Sequence, residues 1–150
     1  MTTIRYSVEI KATPAAVFDL ISRVEDFCQY TSFITSITPI GPDMYRWVVK
    51  VAGITLDWDM LVTECASAQY FAWRSIRGIE NSGHYVLAPT PHGTQVSLTL
   101  NYRLQNRVLE GIIYPLASHL TRRIAAEVLS SVKQRLERGD NAASPKNNDV

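Results

Sequence analysis

The sequence predicts an α+β fold in which a curved antiparallel sheet wraps around a long C-terminal helix. From about residue 34 to 104, apolar and polar residues alternate in short runs separated by turn residues, which is typical of half-buried strands. From about residue 107 to 138, apolar residues recur at helical spacing. A sheet with one apolar face must cover that face, and the C-terminal helix is the element large enough to do so.

The N-terminal segment predicts a strand followed by a short helix. Apolar residues alternate with polar ones from Ile4 to Ile10. Thr13 suits a helix N-cap, and Pro14 suits the first helical position. The chain then becomes extended, and Pro39 limits that strand to a sheet edge or an irregular piece, because proline cannot donate a ladder hydrogen bond.

The middle segment predicts five or six strands in an antiparallel meander. Because side chains alternate along a strand, the apolar members of each strand share one face, which we assign to the interior. The residues on this inner face are Tyr45, Trp47, Val49, Val51, Leu56, Trp58, Met60, Val62, Phe71, Trp73, Ser75, Tyr85, Leu87, Val96, Leu98, Leu100 and Tyr102.

The stretch 71–89 predicts a hairpin whose first strand ends in a tryptophan, an arginine and a serine. Trp73 faces inward, so Arg74 faces outward, where its stem covers apolar surface and its head stays in water. We expect the chain to reverse in a short segment closed by Asn81-Ser82-Gly83, with Gly83 allowing a close backbone turn.

The last segment predicts one long helix with an interruption near its start. Gly111 and Pro115 should kink or break it, because proline removes a backbone donor and clashes with the preceding turn. The main part should then run from Leu116 to Arg138, and Gly139 should end it. Its basic residues are expected to form a solvated face: Arg122, Arg123, Lys133, Arg135 and Arg138.

Composition and charge limit the classes of function. The chain carries 15 Lys and Arg against 14 Asp and Glu, a balance that argues against a nucleic-acid partner held by charge. Cys28 and Cys65 belong to no motif, so reduced thiols in a cytoplasmic protein are expected. Neither a signal peptide nor a stable membrane insertion is indicated. We expect one domain over residues 1–139 and a disordered polar tail over 140–150.

Four stretches of the chain resemble a known family. They are "TPAAVFDLISRVEDF", "FAWRSIRGIENSGHYVLAP", "GTQVSLTLNYRL" and "VLSSVKQRLERG". Together they are similar to the polyketide cyclase/dehydrase and lipid-transport family of the START-like superfamily, over roughly residues 3–139. The resemblance implies a helix-grip fold with an elongated cavity between the sheet and the long helix. The family includes aromatase/cyclases, and the resemblance implies that these often use an arginine that faces into the cavity. Arg74 is the nearest candidate here, but it is predicted to face outward.

The inner face is predicted to line a ligand cavity, because a single helix does not fill the bend of a strongly curved sheet. A solid core built from the same residues is the alternative. The hydroxyl groups of Ser75, Tyr85 and Tyr102 on this face could each hydrogen-bond an oxygen of an otherwise apolar ligand and so orient it. The candidate ligand-binding residues are Trp47, Val49, Trp58, Met60, Phe71, Trp73, Ser75, Tyr85, Leu87, Tyr102, Leu116 and Leu120.

The sequence offers no candidate catalytic or metal-binding group, and no cofactor is expected. His84, His92 and His119 lack the spacing of metal ligands. Asp57 and Asp59 are predicted to lie on an outer face of the sheet. We expect them to be solvated at an edge and not to act as an acid–base pair.

Three functions stay open at this point. The first is binding or carriage of a small hydrophobic ligand, such as a lipid, an isoprenoid, a quinone or an aromatic polyketide. The second is a polyketide aromatase/cyclase, and the third is a macromolecular interaction protein without a ligand. The lack of an inward acid, base or arginine favours the first, and a homodimer is left open.

Overall fold

The computed structural model describes residues 2–51, 53–103, 119 and 121–138. Residues 121–138 form a helix, α2. The preceding elements are, in chain order, strand β1 (Thr2–Ile10), helix α1 (Pro14–Ile21), a 3-10 helix (Val24–Gln29), and strands β2 (Ile34–Gly41), β3 (Met44–Val51), β4 (Ile54–Ala66), β5 (Tyr70–Gly78), β6 (Glu80–Thr90) and β7 (Gly93–Arg103).

The described strands form one curved antiparallel sheet of seven strands, in the order β1-β7-β6-β5-β4-β3-β2. Strands β2 to β7 follow one another as a meander, and β1 pairs with β7 at the opposite edge of the sheet from β2. This confirms the predicted α+β helix-grip fold. Strand β2, which contains Pro39, lies at an edge of the sheet, as the sequence predicts.

Helix α1 begins as its sequence indicates. The side chain of Thr13 accepts a hydrogen bond from the backbone N–H of Ala16 at 3.2 Å, and Pro14 occupies the first turn. Val17, Phe18 and Ile21 are buried, so one face of this short helix joins the core.

The hairpin of β5 and β6 turns earlier than the sequence indicated. The reversal is at Gly78, whose φ of +81° suits glycine, and Gly83 lies within β6 opposite Trp73. A Cβ at Gly83 would lie 2.6 Å from Trp73 Cζ2 and 2.6 Å from the backbone oxygen of Thr99. The prediction of a turn closed by Gly83 is therefore wrong: the glycine leaves room for the indole of Trp73.

Helix α2 packs through one stripe, and several of its polar residues are tied to the rest of the chain. Its buried residues are Ala125, Val128, Leu129 and Val132. Lys133 donates a hydrogen bond to the backbone oxygen of Glu9 at 2.8 Å, and Arg135 lies over the ring of Tyr30 at 4.9 Å. Arg122, Arg123, Arg135 and Arg138 are exposed, as the predicted solvated face requires, whereas Lys133 is half-buried and departs from the prediction.

Three predictions fall on residues outside the described ranges. They are the interruption of the helix near Gly111 and Pro115, the helix start at Leu116, and the tail over residues 140–150. The placement of the domain end at residue 139 stays a prediction as well.

Candidate ligand-binding cavity

A cavity of about 190 Å³ lies between the concave face of the sheet and the first half of the described part of α2. Strands β2 to β7 each contribute to its lining, and the helix contributes Thr121, Ile124, Ala125 and Val128. Aromatic and aliphatic side chains make up nearly all of the described lining. The geometry is that of a small apolar pocket with few polar groups.

The aromatic residues of the cavity lie against one another along its wall. Trp47 and Trp58 are directly opposite on β3 and β4, and their rings stack with centroids 5.6 Å apart. Trp73 packs against Tyr85 at 5.4 Å and against Phe71 at 6.1 Å. These tilted and stacked arrangements are favourable for aromatic pairs. The rings therefore cover the sheet and leave the space in front of them open.

The structure brings most of the predicted ligand-binding residues together around this cavity. Ser75 and Leu87 do not belong to the described lining, and Leu116 and Leu120 lie outside the described residues. Leu87 is 5% exposed and belongs to the packed core. The predicted residues that line the cavity are Trp47, Val49, Trp58, Met60, Phe71, Trp73, Tyr85 and Tyr102. Their role in binding a ligand stays a prediction.

Sequence reasoning missed several contributors to the cavity, of which three are instructive. Val24 and Phe27 come from the 3-10 helix, and Asn81 comes from the start of β6. The spacing of Val24 and Phe27 was a usable signal, since residues three apart share a face of a 3-10 helix. Asn81 gave no such signal, because the dipeptide Asn-Ser before a glycine is typical of a turn.

The side chains of Ser75 and Asn81 are each tied to a backbone group of the β5–β6 turn. The hydroxyl oxygen of Ser75 accepts a hydrogen bond from the backbone N–H of Asn81 at 3.0 Å. The side-chain amide of Asn81 donates to the backbone oxygen of Ile79, also at 3.0 Å. Ser75 thus has a structural role and does not belong to the described lining, and its predicted role in orienting a ligand stays a prediction.

Two other polar groups on the lining have no such partner. The indole Nε1 of Trp47 and the phenol oxygen of Tyr102 are buried and have no hydrogen-bond partner among the described residues. Tyr85, also on the lining, is 3% exposed, and burial raises the pKa of its phenol well above the usual value, with the nearby Tyr30 adding to the rise. Its phenol therefore stays neutral at ordinary pH.

The outer face of the same strands carries a charge cluster. Asp59 accepts hydrogen bonds from Arg46 at 2.8 Å and from Arg77 at 2.8 Å, and Arg77 also binds Asp57 at 3.0 Å. Hydrogen bonds from Arg46 and Arg77 hold the pKa of Asp59 well below its usual range. Asp59 is only 6% exposed, so the prediction of a solvated edge is wrong for this residue.

A bulge in β5 places Arg77 on that outer face. Ser75 pairs with Met60 and Arg77 pairs with Asp59, so Ile76 is the extra residue between them. Without the bulge, simple alternation would put Arg77 on the inner face with Trp73 and Ser75. Arg74 is exposed, as the sequence predicts. The described inner face thus carries neither arginine.

The remaining candidate groups lie apart from the cavity. His84 stacks on Tyr70 at 5.4 Å, and both side chains belong to the outer face. Within the described ranges, no three His, Cys, Asp or Glu residues are grouped so that they could hold a metal ion. None of the helices in the described part of the chain is long and apolar enough to cross a membrane.

The family follows from the match of a whole-domain sequence model. The model for polyketide cyclase/dehydrase and lipid transport matches residues 1–137. The chain belongs to this family. This confirms the resemblance drawn from the four sequence stretches. A comparison of the sequence with curated proteins gives no match.

Solved structures of low sequence identity share the fold. A protein from Thermus thermophilus is 23% identical, with a TM-score of 0.78 over 92% of this chain and 99% of that one. The Zhui aromatase/cyclase from Streptomyces sp. R1128 is 18% identical, with a TM-score of 0.77 over 95% and 97%. A START superfamily protein from Mycobacterium smegmatis is 16% identical, with a TM-score of 0.69 over 91% and 97%. At these identities the likeness shows the fold alone.

Proposed function

We propose that the protein binds a small hydrophobic molecule in the cavity between the sheet and helix α2, and that it carries this molecule without converting it. The observation that carries the proposal is the lining itself: about 190 Å³ of space bordered by three tryptophans, two tyrosines and aliphatic side chains. Membership of a family described by both cyclase/dehydrase activity and lipid transport is consistent with this function.

The chemistry of the lining favours binding over turnover. General acid–base catalysis needs a titratable group within hydrogen-bond reach of the moving proton. The described lining holds no Asp, Glu, His, Lys or Arg, and its tyrosine phenols are weak acids. The acidic and basic cluster around Asp59 lies on the opposite side of the sheet from the cavity.

The size of the cavity sets the scale of the ligand and of its affinity. An engineered apolar cavity of about 150 Å³ binds benzene, so the present space suits a molecule of about one or two rings. A ligand that hides ~300 Å² of apolar surface gains ~7.5 kcal/mol at ~25 cal/mol per Å². That gain alone corresponds to a dissociation constant of about 3 μM, and immobilisation removes part of it, so we expect dissociation constants of about 10–100 μM.

The free thiols Cys28 and Cys65 fit a reducing compartment. We therefore include a cytoplasmic location in the proposal. A homodimer stays a prediction and forms no part of the proposed function.

The binding test uses a neutral apolar fluorophore with two rings, prodan (6-propionyl-2-dimethylaminonaphthalene), titrated into the full chain. The three tryptophans of the sequence all line the cavity, so energy transfer from them to the probe reports its arrival. We expect saturable binding at one site per chain. Trp73→Ala should weaken it at least about tenfold, whereas Val86→Ala, on the exposed outer face, should leave it unchanged.

A parallel assay with a reactive poly-ketone addresses the aromatase/cyclase alternative. Unchanged product distribution with and without the protein is the result expected for a carrier. Redirected cyclisation that Tyr85→Phe abolishes, with probe binding intact, would replace the carrier proposal with an enzyme. Absence of saturable probe binding would overturn the proposal itself.

A further inference from the structure

The two edge strands of the sheet, β1 and β2, differ in how their free edges are protected. An open edge presents unpaired N–H and C=O groups to other chains, and proteins usually block it with proline or with β-bulges. Strand β2 has both, since it contains Pro39 and its pairing with β3 shifts register at two places. Strand β1 contains no proline and pairs with β7 without a shift from Thr2 to Ile10. The outer edge of β1 is therefore suited to pairing with another strand.

The hairpin of β6 and β7 determines which residues of β1 face this outer edge. Thr90 and Gly93 close a two-residue loop, so they form a hydrogen-bonded pair, and bonding to β6 recurs at every second residue of β7 from Gly93 onward. The residues of β7 between these bond to β1, and their partners are the even-numbered residues of β1. The N–H and C=O groups of the odd-numbered residues therefore point away from the sheet. These outward residues are Thr3, Arg5, Ser7 and Glu9.

Contacts from helix α2 agree with this orientation and engage only the end of the edge. Lys133 Nζ donates to the backbone oxygen of Glu9 at 2.8 Å, and the Glu137 carboxylate accepts from the backbone N–H of Lys11 at 3.0 Å. The outward backbone groups that precede Glu9 have no hydrogen-bond partner in the described part of the chain. This part of β1 is therefore a row of free donors and acceptors.

The side chains of β1 complement those of a second, antiparallel copy of β1. In the register that places Ser7 opposite its own symmetry mate, Arg5 lies opposite Glu9 of the second copy on the outer face, and such opposite charges attract. Both side chains are exposed and have no ion-pair partner among the described residues. On the inner face Tyr6 lies opposite Val8, a favourable pair, and both are half-buried in the single chain. A register centred on Arg5 would instead place two arginines opposite each other.

We propose that the protein forms a symmetric dimer in which β1 of one copy pairs antiparallel with β1 of the other, centred on Ser7, so that the two sheets join edge to edge. The same residues contribute from both copies, as a two-fold interface requires. Lys133 keeps its contact, because the Glu9 carbonyl has a second lone pair to accept from the Arg5 N–H of the other copy. The paired segment is short, so we expect a reversible dimer with a micromolar dissociation constant. No residue of β1 belongs to the described lining of the cavity, so the inference is independent of the proposed function.

The first test measures the mass of the full chain by sedimentation velocity over a series of concentrations. The wild type should change from monomer to dimer as the concentration rises. Ser7→Pro removes an outward N–H and leaves the bonds between β1 and β7 intact, so it should give a monomer at all concentrations. Ser7→Ala, which keeps the N–H, is the matched control and should dimerise like the wild type. Circular dichroism checks that each variant is folded. A wild type that stays monomeric at several hundred micromolar, or a dimer that survives Ser7→Pro, overturns the inference.

A charge exchange tests the register. Arg5→Glu places a carboxylate opposite Glu9 in both halves of the symmetric interface and should weaken the dimer at least about tenfold, and Glu9→Arg should do the same. The double variant Arg5→Glu/Glu9→Arg restores opposite charges and should return the dissociation constant to within about threefold of the wild-type value. Arg74→Glu, at an exposed residue of β5, is the control and should change nothing. If the double variant associates as weakly as the single variants, the register is wrong and the inference fails.

Amide hydrogen exchange in the wild type gives a readout that needs no variant. The N–H groups of Arg5 and Ser7 are free in the single chain and bonded in the dimer, so their exchange should slow as the protein concentration rises. The N–H groups of Tyr6 and Val8 bond to β7 in either state and should exchange slowly at every concentration. A dimer in which the Arg5 and Ser7 amides stay unprotected would place the contact on another surface and overturn the inference.

Discussion

The two halves of helix α2 face different interiors. From its middle toward its C-terminal end, Leu129 and Val132 are fully buried at 0% exposure, in one cluster with Ile10, Val17 and Ile21. Beside its first half, Thr121 and Ile124 border the cavity. We call these regions the packed half and the hollow half. Both are lined by residues with the same strand and helix periodicity, so periodicity alone does not distinguish a solid core from a cavity.

Side-chain shape accounts for the difference. In the packed half, aliphatic side chains from β1, α1 and α2 interdigitate, as in the close-packed interiors of proteins. In the hollow half, flat rings stack on their neighbours in the sheet, as Trp47 does on Trp58. A ring that lies along the wall covers much area but reaches a short distance into the centre. The residual space follows from that arrangement.

The largest expected effect breaks the packed half. Leu129→Ala removes a fully buried side chain and should lower the free energy of unfolding by about 3–5 kcal/mol, because it creates a new cavity in a close-packed region. Leu100→Ala removes a leucine from the border of the existing cavity and should cost about 1–2 kcal/mol. Urea unfolding measures both. Equal losses would mean that the hollow half is packed as tightly as the other.

The second effect concerns the wall of the hollow half. Gly83→Ala should cost about 2–3 kcal/mol and weaken apolar probes, because the added methyl group displaces the indole of Trp73. The control is Gly53→Ala, where φ is +80° and a Cβ meets no atom within 4 Å. It should cost about 1 kcal/mol through backbone conformation and leave probe affinity unchanged. Probe affinity that survives Gly83→Ala would show that Trp73 does not define the wall.

The sequence predicted the fold well, because the signals for it are local. Alternation set the strand faces, Thr13 and Pro14 set the start of α1, and Pro39 marked the edge strand. The turn before β6 was misplaced, because Asn-Ser-Gly is a strong turn signal. The reason for Gly83 is a contact with Trp73 across the strand pair, and such a contact is visible only once the register is known.

The candidate site could be predicted only in part. The inner aromatic residues followed from strand parity, but the free or engaged state of a polar group depends on neighbours distant in sequence. Ser75 is engaged by Asn81, and Asp59 is buried by arginines on two other strands. A bulge at Ile76 also reverses the parity of Arg77, and no local pattern announced it.

The third effect tests whether the wall of the hollow half is held from its outer side. Arg46 and Asp59 are cross-strand neighbours next to the Trp47–Trp58 pair, on the opposite face. Asp59→Asn removes charge-assisted hydrogen bonds to Arg46 and Arg77 and should cost about 2 kcal/mol. Asp57→Asn, at a half-exposed carboxylate, should cost about 0.5 kcal/mol. If the two variants lose equal stability, the cluster is no more than a set of surface ion pairs.

The same carboxylate gives the protein a pH dependence of known sign. The pKa of Asp59 is lower in the folded state than in the unfolded state, so the folded state gains stability above the unfolded pKa of about 4. That gain should be lost progressively as the pH falls below about 4. Unfolding free energies measured from pH 6 down to acid should fall more steeply for the wild type than for Asp59→Asn. If the unfolding free energies of the wild type and of Asp59→Asn fell in parallel with pH, the lowered pKa of Asp59 would be contradicted.

The smallest effect concerns the hydroxyl of Ser75, which lies outside the described lining of the hollow half. Ser75→Ala leaves the backbone N–H of Asn81 without its acceptor and should cost about 1 kcal/mol of stability. Because the Ser75 hydroxyl is engaged and does not belong to the described lining, the affinity for apolar probes should change less than about twofold. Ser97→Ala, which removes an exposed hydroxyl bonded to Ser7, is the matched control and should cost less than about 0.5 kcal/mol. A large loss of affinity in Ser75→Ala would place this hydroxyl in contact with the ligand.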